Sequence, residues 1–178
     1  MKIEWISPVL NDQFLRIMIK EFGGYEDNIR HVLIKNIFTF SIIVTKQEAK
    51  ESTSNGTINK IDLIIPISQF GREKECVEIK MYNFVRSVPK EINNDIGKLA
   101  NLGNNILRTF LYFGYYGKFQ NPQNSIVFDV NKRIKEINKH CKMLQAIIPN
   151  SLRLVNRRRI HITCPCTGFI YYAFWLSF

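Results

Sequence analysis

The feature that most constrains this chain is a pair of short apolar runs that carry carboxylates where a buried strand should exclude them. Lys60-Ile61-Asp62-Leu63-Ile64-Ile65-Pro66 and Glu75-Cys76-Val77-Glu78-Ile79-Lys80-Met81-Tyr82 are dominated by Ile, Val, Leu and Tyr and bracketed by turn-like residues, so both predict strands. Ile67 to Lys74 between them is short, mostly polar and contains Gly71, which suits a hairpin connection. Alternation along a strand puts Glu78 and Lys80 on one face and Val77, Ile79 and Met81 on the other. Antiparallel pairing then brings Asp62 beside Glu78. Two carboxylates and an ammonium on one patch of sheet are costly unless a cation or a donor sits between the acids. A hard divalent ion such as Mg²⁺ takes one or two carboxylates with water and phosphate oxygens. Lys80 is then left to orient a water or offset charge on a phosphate.

The rest of the sequence predicts one α/β domain spanning residues 1–178. That length falls in the single-domain range, and an apolar fraction of 46% with 22% charged residues is that of a globular chain. The N-terminus lacks a basic region followed by an apolar stretch, and Gly168–Phe178 is too short to span a bilayer as a helix. The expectation is a cytoplasmic protein with no membrane partner, its aromatic tail a buried strand or a dimer contact. Four cysteines in a chain this long, without a signal, predict free thiols rather than a disulfide scaffold.

Charge is uneven. Residues 1–89 hold twelve Lys or Arg against eleven Asp or Glu, whereas residues 90–178 hold thirteen against four. Nine of the basic residues lie between Lys132 and Arg159, with Glu136 as the sole acid there. Such a surface is the footprint of a polyanion partner, or else a solvated face of a basic protein.

Element by element, Asn11-Asp12 caps a predicted helix through Phe14, Leu15, Met18, Ile19 and Phe22, ended by Gly23-Gly24. A second helix is expected from Glu26 towards Lys35. Phe38–Val44 reads as a strand, and Gln47–Asn59 as a polar loop or hairpin tip. After the two motif strands, Pro89 opens a helix with Ile92, Ile96 and Leu99 inward; Ile106, Phe110 and Phe113 continue its spacing past Gly103. Ser125–Phe128 is a further strand. The order is helix–strand–strand–strand–helix–strand.

Ile134, Ile137, Cys141, Leu144 and Ile148 form an apolar stripe at steps of three and four, with lysines on the other faces. This helix packs on the sheet, and its basic side either meets water or lies along phosphates. Arg157, Arg158 and Arg159, before the strand Ile160-His161-Ile162, either clamp phosphates or form a solvated cluster. Cys164-Pro165-Cys166 with His161 is too tightly spaced for an ordinary zinc site. His31 and His140 have no nucleophile signature beside them, and no Gly-rich phosphate loop is present.

Asp62 followed sixteen positions later by Glu78-Ile79-Lys80, each within a strand, resembles the PD-(D/E)xK nuclease superfamily. That resemblance implies a restriction-endonuclease-like fold: a mixed central β-sheet flanked by helices, its core at about residues 11–130. A basic helix and strands follow over 131–178. It implies a metal-dependent DNA endonuclease or exonuclease using Mg²⁺, for which Mn²⁺ substitutes. Asp62, Glu78 and the Ile79 carbonyl would bind the metal, and Lys80 would activate the attacking water or stabilise the transition state. A further Glu on the first helix often joins the metal in such nucleases, and Glu21 or Glu26 is the equivalent here, Glu21 being preferred. Asp95 and Lys98, at i, i+3 on the following helix, either pair on the surface or flank the site, with Lys98 as a phosphate contact. Arg157, Arg158 and Arg159 are the other nucleic-acid contacts. Ile61 stands where the family pattern has proline, and Glu48-Ala49-Lys50 repeats Glu-x-Lys with no apolar strand around it. The alternative is an inactive nuclease-fold module for DNA or protein docking. A homodimer would be needed to cut both strands together.

Overall fold

A computed structural model describes residues 1–11, 26–41, 46–52, 56, 58–69, 71–83, 90–116, 130–150, 152–164 and 169–178. Among them, four helices flank a six-stranded mixed sheet. In chain order these are α1 (Ile3–Asn11), α2 (Glu26–Ser41), β1 (Lys46–Ser52), β2 (Ile58–Gln69), β3 (Arg72–Asn83), α3 (Lys90–Ala100), β4 (Ile106–Tyr116), α4 (Val130–Ala146), β5 (Asn156–Cys164) and β6 (Phe169–Ser177). The strands lie in the order β1-β2-β3-β4-β6-β5. The β3–β4 pair is parallel and spans the α3 crossover; the other pairs are antiparallel.

The centre of the sheet falls on the most apolar segments because it is covered on both faces. In β6, Tyr171, Ala173 and Trp175 face α1 and α2, while Ile170, Tyr172, Phe174 and Leu176 face α3 and α4. β4 divides likewise, Leu111 and Phe113 against Phe110 and Tyr112. A strand buried on both faces loses its polar alternation and reads as a continuous apolar run. Each fully buried Leu, Ile or Phe contributes roughly 1.5–3 kcal/mol, so these two strands anchor the domain. The aromatic tail is thus a buried strand.

Three expectations need correction. Phe38–Ser41 is the end of α2 rather than a strand: Ile29, Leu33 and Ile37 are buried at four-residue steps and carry the helix through. Residues 42–44 lie outside the described set. Ile106–Tyr116 is strand, not helix; buried on both faces, its residues matched helical spacing without forming a helix. Lys46–Ser52, expected as loop, is an edge strand paired with β2 from Lys46↔Ile64 to Ser52↔Ile58. Its charged sequence is the usual guard of an exposed edge. The β2–β3 connection is tighter than expected, with only positions 70 and 71 between the strands and Gly71 at a φ of 68°.

The helix expected over residues 11–22 and the strand at Ser125–Phe128 lie outside the described residues. The expected element order still recurs as α2–β1–β2–β3–α3–β4, with its first and last strands drawn from other segments. Ile92, Ile96 and Leu99 of α3 point inward as expected, as do Ile137, Cys141 and Leu144 of α4. No helix among the described residues is long and apolar enough to cross a membrane.

Candidate active site

The site begins where β2 and β3 part. Their register runs from Gln69↔Arg72 to Leu63↔Val77, and Asp62 is the next residue along β2. There a side chain takes over from the ladder: the Ile79 amide donates to Asp62 Oδ2 at 2.8 Å. This bond fixes the carboxylate against β3 while leaving it 24% exposed. Arg30 of α2 approaches the other oxygen, with its guanidinium 4.0 Å from Asp62 Oδ1, and also pairs with Asp27.

Alternation places Glu78 and Lys80 on the α3 side, as expected, with Val77 and Ile79 in the core under α1 and α2. Glu78 is 2% exposed, and its Oε1 is buried with no hydrogen-bond partner. Lys98 lies 3.9 Å from its Oε2. Burial, and then the neighbouring Asp62 charge, push the Glu78 carboxyl up to about 9, against the opposing pull of Lys98. Three residues earlier on the same strand, Glu75 is also buried but saturated, accepting from Thr109 Oγ1 and from the Met1 amine. Glu75 therefore reads as a structural carboxylate. Glu78 lacks such partners and keeps a bare acceptor.

Asp95 closes the cluster from α3. It is buried, and ion-pairs with Lys80 Nζ at 3.2 Å and Lys98 Nζ at 2.8 Å. Burial would lower the Lys98 ammonium, but its hydrogen bond to Asp95 and the charges of Glu78, Asp95 and Asp62 outweigh that and hold its pKa above the ordinary value. The Asp95–Lys98 pair thus lies beside Glu78, with the Lys98 side chain 40% exposed.

Asp62, Glu78, Ile79, Lys80 and Lys98 are brought together from β2, β3 and α3. Glu21 lies outside the described residues; Glu26 opens α2, and its side chain is not among those described. Arg157, Arg158 and Arg159 sit on β5, an edge strand three positions across the sheet from β3. Arg30 is the residue that sequence reasoning missed. Its signal was available: it precedes Leu33 and Ile37 by three and seven positions, on a stripe that the helix buries, and it is 5% exposed.

Among the described residues, no group of three or more His, Cys, Asp or Glu is arranged to hold a metal ion. The candidate donor set is therefore a pair, Asp62 and Glu78. Two close carboxylates with one unsatisfied buried oxygen fit a hard divalent cation, which completes its shell with water or phosphate oxygens. Cys76 and Cys141 are buried free thiols. Compared with protein-family models, with curated proteins and with solved structures, the chain matches none.

Proposed function

We propose that this chain is a divalent-metal-dependent nuclease of restriction-endonuclease-like fold that hydrolyses DNA phosphodiester bonds at the Asp62–Glu78–Lys80 cluster. The observation that carries the reading is the Glu78 carboxyl, buried beside Asp62 with one oxygen that no donor reaches. The element order α2–β1–β2–β3–α3–β4 and the position of both acids on paired strands support the resemblance.

In this reading Asp62, Glu78 and the Ile79 carbonyl would hold the cation. Mg²⁺ or Mn²⁺ supplies a lowered pKa for bound water and polarisation of the phosphate. The chain's own residues do the rest. The Ile79 amide orients Asp62 through the 2.8 Å bond. Lys80, held by Asp95 at 3.2 Å, presents an ammonium to offset negative charge growing on the phosphate. Lys98, also on Asp95, stands at the rim as the contact for a neighbouring phosphate.

Incubation of single-stranded and duplex DNA with Mg²⁺ or Mn²⁺ tests this reading. The wild type is expected to cut at least one of them, with the rate reduced by at least roughly 10²-fold in Asp62→Ala and in Lys80→Ala. A second reading, an inactive docking module, draws on Asp95, whose ion pairs to Lys80 and Lys98 already balance part of the cluster. A folded wild type that cuts neither substrate, yet binds DNA equally well after both substitutions, selects the module.

A further inference from the structure

The sheet register links the carboxylates to a second basic site. Glu78 pairs with Phe110, Phe110 with Leu176, and Leu176 with Arg157. One step along, Lys80 pairs with Tyr112, Tyr112 with Phe174, and Phe174 with Arg159. Arg157 and Arg159 therefore stand level with Glu78 and Lys80, three strand spacings or roughly 14 Å away.

They also share a face with them. Ile160 and Ile162 pack towards the α1–α2 core, so alternation turns Arg158 that way and sends Arg157 and Arg159 towards α4. There they border a cleft of about 470 Å³ that Arg158, Phe174, Asn138, Cys141, Lys142 and Gln145 also line. Arg157 Nη1 donates to Gln145 Oε1 at 2.6 Å, which fixes one guanidinium across the mouth. Burial pushes the Cys141 thiol up to about 12, against the opposing pull of the Arg159 and Arg157 charges and a backbone hydrogen bond. On the outer surface of α4, Lys132, Lys135, Lys139 and Lys142 are exposed at steps of three, four and three. Those steps put them on one helix face, opposite the buried Ile137, Cys141 and Leu144.

We propose that the α4–β5 cleft, with Arg157, Arg159 and Lys142 as its cations and the α4 lysine ridge beside it, binds the phosphate backbone of a DNA strand engaged at the carboxylate cluster. The identity of the strand rests on the nuclease reading; the cleft itself does not. A separation of roughly 14 Å is about four nucleotides at 3.4 Å per step. The outward-facing cations contact phosphates rather than base edges, so binding is insensitive to sequence and steeply dependent on salt.

Fluorescence anisotropy of a labelled DNA oligonucleotide, in a chelator so that nothing is cut, tests the proposal with the full-length chain. The double variant Arg157→Ala/Arg159→Ala is expected to bind at least tenfold more weakly near 0.1 M salt, with the salt slope smaller by about 2. Lys139→Ala/Lys142→Ala should weaken binding similarly. Two results overturn the cleft: an arginine pair variant with wild-type affinity and slope, or wild type that binds anionic lipid vesicles but no DNA. Cleft-dependent binding by a protein that cuts no DNA with any divalent ion overturns the nuclease reading and leaves the cleft standing.

Discussion

Glu78 and Glu75 show how neighbours rather than residue type decide a role. Both are buried on β3, on opposite faces, but only Glu75 is saturated with donors. The consequence for Glu78 is a stability that depends on pH. Its folded pKa is raised to about 9 from an ordinary 4.5, so between those values the folded state keeps a proton that the unfolded state releases. Stability from this group is complete below the unfolded value and is lost as pH rises through about 9. Thermal melts in a chelator from about pH 5 to pH 9 should therefore fall for wild type and run flatter for Glu78→Gln, which melts higher at the alkaline end. Parallel curves for the two proteins would falsify the assignment. At this scale the sequence was most legible. Carboxylates and a lysine inside Ile- and Val-rich strands are expensive enough to stand out. Arg30 did not stand out, because one arginine on an otherwise polar helix surface is ordinary until its buried stripe is traced.

Elements were legible where a period was clean. The α3 and α4 stripes gave their inward residues because each helix packs only one face on the sheet. β4 was misread for the opposite reason: two buried faces erase alternation, and Ile106, Phe110 and Phe113 then matched a helical spacing by accident. β1 was missed since an edge strand with a charged sequence lacks the apolar content that marks a strand. The β4–β6 pair also contains a tight approach. A Cβ on Gly114 would lie 2.5 Å from the ring of its partner Tyr172. Tyr172 cannot retreat, being fully buried with its hydroxyl 3.2 Å from His140 Nδ1 and its ring stacked against Tyr112 at 6.0 Å. Gly114→Ala should cost about 1–3 kcal/mol by urea denaturation. An unchanged midpoint would mean that this packing is looser than described.

Across the whole molecule, the uneven charge of the sequence becomes a layout. The nearly neutral first half supplies β2 and β3 with the carboxylates, and the basic second half supplies α4 and β5. Both open on the same sheet face, so the proposed nucleic-acid strand would meet cations on one side and acids on the other. Under the proposed function, a cation between the acids would reconcile that layout with a phosphate at Asp62 and Glu78. The sequence showed the charge asymmetry but not this alignment, which depends on β6 inserting between β4 and β5.

The most direct measurement is calorimetric titration of the chain with Mn²⁺ near pH 7 in two buffers of different ionisation enthalpy. The account predicts one saturable ion per chain, with a proton released because Glu78 must ionise to bind it. The ion and the proton should both be lost in Glu78→Gln. Absence of saturable binding, or binding by Glu78→Gln equal to wild type, would contradict a cation held between Asp62 and Glu78.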